Sequence, residues 1–80
     1  MKLILSITRD EDATHLIEAL VEHEFRATRI NTAGGFLKRG NSTVVVGVED
    51  ERVDDVVGLI RQSTQHANVF VMNVARYERL

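Results

Sequence analysis

Residues 42–60 run STVVVGVEDERVDDVVGLI and hold one complete folding unit. Ser42 to Val48 reads as an apolar, β-branched strand. Glu49-Asp50-Glu51 follows at once, where negative charge suits the positive end of a helix macrodipole. Val53, Val56, Val57 and Ile60 then recur at helical spacing and form one apolar stripe. The unit is a strand, an acidic helix start and an amphipathic helix.

The same unit opens the chain. Lys2 to Thr8 alternates around Leu3, Leu5 and Ile7, with Ile4 on the other face. A strand this apolar belongs near the middle of a sheet. Asp10-Glu11-Asp12 starts a first helix, whose face is Ala13, Leu16, Ile17, Leu20 and Val21 and whose end falls near His23. Each unit is followed by a further strand: Phe25 to Asn31 after the first helix, Asn68 to Ala75 after the second. Thr32 to Gly40 is a loop, Gln62 to Ala67 a polar linker, and the tail RYERL is exposed.

The order βαββαβ predicts an α+β protein of the ferredoxin-like, split βαβ type, with a four-stranded antiparallel sheet and two helices on one face. The expected organisation is a single domain over residues 1–80. The second face of the sheet has no helix of its own. Ile4, Val45 and either Phe70 or Val69 are expected on it. An uncovered apolar face in a chain this small predicts a homo-oligomer.

Composition narrows the function. The 80 residues contain no Cys, which excludes disulfides and thiolate metal sites. No apolar run approaches the roughly 20 residues that span a bilayer, and charges follow the first apolar stretch directly. The expectation is a cytoplasmic protein with no membrane association. From Phe25 to Val48 there are four cations (Arg26, Arg29, Lys38, Arg39) and no acid, so that segment carries +4. The remaining six cations and twelve acids sum to −6. Such segregation suggests an anionic partner for the central segment. Nucleic acid is not expected, because the chain is acidic overall and poor in aromatics.

No catalytic set stands out, and no enzyme is expected. His15, His23 and His66 are scattered, and His15 and His23 lie about 12 Å apart along a helix axis, too far to share a zinc ion. The acidic clusters sit where helix N-termini favour them. Residues 34–41, GGFLKRGN, are different. Gly34, Gly35 and Gly40 permit positive φ and close approach of backbone to ligand. Arg26, Arg29, Lys38 and Arg39 can supply charge-assisted hydrogen bonds to phosphate. Asn41 can both donate and accept, as a base edge requires. The same loop also suits a subunit interface built on Phe36 and Leu37.

The stretch FRATRINTAGGFLKRGNSTVVVGVEDERVDDV resembles the PII-like cyclic di-AMP receptor family. Those proteins typically carry F-R-V-T-K/R, then T-G-G-F-L-x-x-G-N-T-T, then G-V-x-D-x-R-V. The likeness extends from MKLI, through the acidic D-x-D, to about Ile60. It implies a ferredoxin-like protomer in a PII-like homotrimer that packs its uncovered sheet faces around the three-fold axis. It further implies a non-enzymatic signalling role, with cyclic di-AMP or a related adenine nucleotide bound in clefts between subunits and a downstream protein reading the bound state. No cofactor is implied. The positions carried over are Arg26 and Thr28 on the second strand, Gly35, Phe36 and Leu37 around an adenine, Asn41 at a base or phosphate, and Gly47 at a close approach on the third strand.

The chain departs from the family pattern in three places. Glu24 stands where the family usually has Asn, and a carboxylate facing a phosphate pocket costs affinity. The long segment that usually precedes the last strand is reduced to a short linker around Ser63–Ala67. The usual aromatic and Gln ending is replaced by Tyr77-Glu78-Arg79-Leu80. These departures define the alternative, a PII-like trimeric interaction module that has lost nucleotide binding.

Overall fold

In the computed structural model, which describes residues 1–30 and 40–80, strand β1 spans Lys2–Arg9 and helix α1 spans Asp10–Glu22. Strand β2 is Thr28–Ile30, β3 is Asn41–Val48, helix α2 is Val53–Ser63 and β4 is Ala67–Asn73. The order βαββαβ is therefore the expected one. The sheet is antiparallel in the order β2-β3-β1-β4, with the first and third strands central. Both helices pack on one face.

The helices follow from their stripes. Ala13, Leu16 and Leu20 of α1 are buried, and so are Val56 and Ile60 of α2. They meet Ile4, Val44, Val46 and Val48 from the sheet to form the core. Val21, expected on the inner face of α1, is 60% exposed. The acidic run 49–51 lies just ahead of α2 rather than inside it: Asp50–Arg52 forms one 3-10 turn, and the α-helix begins at Val53. The last strand ends at Asn73, two residues sooner than expected.

The side-chain facing of β1 is opposite to the reading from sequence. Ile4, Ser6 and Thr8 lie under the helices, and Leu3, Leu5 and Ile7 face the open side. A strand with large apolar residues at 3, 5 and 7 and small polar ones at 6 and 8 looks as though its odd positions are the core. Here the helices approach over the small residues, and the larger side chains are left for the open face. Ile4 therefore belongs to the core. Val45 lies on the open face as expected, and pairing of Leu5 with both Val45 and Phe70 puts Phe70, not Val69, beside it.

The second strand also begins later than expected, at Thr28 rather than Phe25, and the expected last residue, Asn31, lies outside the described residues. Among the described residues Thr28–Ile30 pairs with β3, while Phe25 and Ala27 reach the core from irregular backbone. Phe25 is held there by the end of α1: its amide donates to the Leu20 carbonyl at 2.8 Å, and the Glu24 amide to the Val21 carbonyl at 3.0 Å. These are the paired bonds of a Schellman cap. They use up the residues at which a longer ladder would begin.

Candidate functional site

Register places the expected ligand residues on a grid. Across the open face one row reads Thr28, Val45, Leu5, Phe70. A second row reads Ile30, Thr43, Ile7, Asn68, and a third reads Gly47, Leu3, Met72. Arg26 and Thr28 are exposed, alternating with the inward Phe25 and Ala27. Thr28 and Gly47 thus share the open face near the same end of the sheet. Arg26 precedes Thr28 at that end.

Asn41 is elsewhere. It starts β3 and pairs with Arg9, six residues from Gly47. At the strand rise, that separation is about 20 Å. Asn41 borders a cleft of about 470 Å³ that also involves Thr8, Arg9, Gln65, His66 and Asn68. The Thr8 hydroxyl donates to the His66 carbonyl at 2.7 Å and closes one wall of it. Gly35, Phe36 and Leu37, and with them Gly34, Lys38 and Arg39, lie outside the described residues.

The two described glycines of this region differ in their demands. Gly40 has φ +86°, a conformation that favours Gly, and its carbonyl accepts from the Asp10 amide at 2.8 Å. Gly47 is exposed, and a Cβ added there would meet nothing within 4 Å. Among the described residues, no neighbour requires glycine at position 47. What it provides is a bare stretch of backbone facing outward.

Arg29 has another use than the phosphate contact expected of it. It points to the helix side, where Nη1 donates to Thr14 Oγ1 at 2.8 Å, Nη2 to the Asp10 carbonyl at 3.0 Å, and Nε to Ser42 Oγ at 3.2 Å. Ser42 Oγ in turn donates to Asp10 Oδ1 at 2.5 Å. Spacing along the sequence gives no sign of this cluster, because Asp10 reads there as one of three helix-start acids. Glu24, the departure next to Arg26, is exposed and has φ 67°. Its place is the left-handed position of the Schellman cap, which asparagine tolerates better than glutamate.

All three histidines are exposed, and among the described residues no group of three or more His, Cys, Asp or Glu side chains is placed to hold a metal ion. Among the described residues, no helix is long and apolar enough to cross a membrane.

Known proteins resemble this chain over most of its length. The profile of the family described as cyclic-di-AMP receptor matches residues 1–80. Nitrogen fixation nifHD region GlnB-like protein 1 of Methanothermococcus thermolithotrophicus is 32% identical over 81 residues, covering 85% of this chain and 77% of its own. A crystal structure of a functionally unknown protein from Pediococcus pentosaceus shares 33% identity and a TM-score of 0.86, over 99% of this chain and 96% of that one. A ferredoxin-like fold, a motif-bearing third strand and a family match over residues 1–80 make the chain a member of the PII-like cyclic-di-AMP receptor family.

Proposed function

We propose that the chain is a non-enzymatic, cytoplasmic PII-like signalling protein that binds cyclic di-AMP, or a related adenine nucleotide, between the subunits of a homotrimer. Family membership supplies the ligand class. The observation that carries the composite site is the separation of Asn41 from Gly47 along one strand. A single nucleotide that touches Arg26, Thr28 and Gly47 at one end and Asn41 at the other draws them from two copies.

The open face supports the assembly. Leu3, Leu5, Ile7, Val45, Phe70 and Met72 face away from the helices, while Ser6, Thr8 and Ser42 are buried beneath them. Phe70 is 52% exposed and Met72 40%. A chain that places its larger apolar side chains on the bare face is completed by another copy. The test is a thermal shift with cyclic di-AMP, beside ATP, AMP and cyclic di-GMP. A ligand at 100 times its dissociation constant adds about 2.7 kcal/mol per site. A selective rise of several degrees with cyclic di-AMP is expected. No shift with any nucleotide at high concentration overturns the ligand reading and leaves the trimeric module.

A further inference from the structure

Asp10 stands between the two strand ends that bracket residues 31–39. Its carbonyl and carboxylate face Arg29 Nη2, at 3.0 and 3.8 Å, one residue before the end of β2. Its carboxylate also accepts from Ser42, and its amide donates to Gly40, at the start of β3. Ser42 and Arg29 bond each other directly, so the three side chains form a closed triangle. Ser42 is fully buried, and the Arg29 side chain is only 25% exposed. Thr14, one turn along α1, takes a further Arg29 donor. One residue at the first position of α1 thus holds both strand ends.

Helix-dipole compensation does not account for this arrangement. Asp12 occupies the same first turn and supplies the same charge, yet it accepts from the Gln65 amide at the opposite side of the fold. The Asp10 contacts are specific to the strand pair. Charge-assisted hydrogen bonds of this kind are the strong ones, and a partly buried Arg with several acceptors has few alternative geometries.

We infer that Asp10 is a positioning residue for the nucleotide sites: through Arg29 and Ser42 it fixes the spacing of the β2 and β3 ends, and with it how one chain presents Thr28 to one intersubunit site and Asn41 to the next. It does not touch the ligand. Loss of the clamp loosens the two ends in the absence of ligand and weakens nucleotide binding as a consequence.

Because the second effect presupposes the proposed nucleotide site, the experiment reads the two separately. Asp10→Ala, Ser42→Ala and the control Asp12→Ala are compared with the unaltered protein by amide hydrogen exchange over residues 28–30 and 41–43 without ligand, and by calorimetric titration with cyclic di-AMP. Ser42→Ala removes one hydroxyl from a buried site and keeps the fold testable if Asp10→Ala does not fold. Losing one charged hydrogen bond predicts about tenfold faster exchange at both strand ends in Asp10→Ala and Ser42→Ala, with Asp12→Ala unchanged there. About tenfold weaker cyclic di-AMP binding is expected in the same two variants. Unchanged exchange in both variants, or equal acceleration in Asp12→Ala, overturns the positioning role. Accelerated exchange with unchanged affinity overturns its link to the ligand. If the unaltered protein does not bind cyclic di-AMP, the ligand reading falls, and exchange alone decides the clamp.

Discussion

The amide of Phe25 donates to the carbonyl of Leu20 at 2.8 Å, and the chain reaches this bond by passing through Glu24 at φ 67°. The bond ends α1, turns the chain and delivers Phe25 to the core, where Arg52 lies 4.6 Å over its ring. It also sets where Arg26 and Thr28 begin. A residue with a long side chain is held in a conformation that suits glycine or asparagine, and it neighbours the candidate site.

Glu24→Gly and Glu24→Asn are therefore expected to stabilise the protein. A left-handed conformation costs a non-glycine residue about 1–2 kcal/mol, part of which glycine gives back as backbone entropy. The net expectation is a gain of about 0.5–1 kcal/mol, read as a rise of a few degrees in Tm. A fall in Tm for both variants contradicts the strain.

Phe70→Lys tests the open face. Phe70 is half exposed in the protomer, so its loss costs the isolated fold little. If this face is the subunit interface, a cation at its centre is not tolerated, and the expected result is a monomer by light scattering with an unchanged far-UV spectrum. A variant that keeps the mass of the unaltered assembly rules this face out as the interface.

Arg26→Ala removes an exposed cation that Asp10 does not engage. Tm without ligand should stay within about 0.5 kcal/mol equivalent of the parent, as for most surface changes. Affinity for cyclic di-AMP should fall by about 1.5–3 kcal/mol, the scale of a charged hydrogen bond. Unchanged affinity in titration calorimetry removes Arg26 from the pocket.

Gly47→Val separates stability from binding. Valine has open space at this position and a better strand propensity, so the protomer should unfold at the same or higher denaturant concentration. If bare backbone at position 47 serves a ligand or a neighbouring subunit, nucleotide binding or assembly is lost in the same variant. Full retention of both shows that the glycine has no such use.

The element order and the two helices were legible in the chain alone, as was a loop ending at Gly40. These depend on properties local to the chain: stripes at helical spacing, acidic helix starts, and a glycine-bearing loop. The motif from Phe25 to Val53 likewise pointed to the family without any structure. Which face of β1 is buried was settled by the packing of the helices. Leu3, Leu5 and Ile7 form as convincing an inner face as Ile4, Ser6 and Thr8, and the choice rests on where the helices dock. The late start of β2 has a similar origin, since the Schellman cap at Glu24 and the pairing with β3 compete for the same residues. The role of Asp10 was the least legible. Its partners lie 19 and 32 residues away, and an acid at a helix start looks alike whether it serves the dipole or holds two strands together. Periodicity is written along the chain, but contacts between distant residues exist only once register and docking have been chosen.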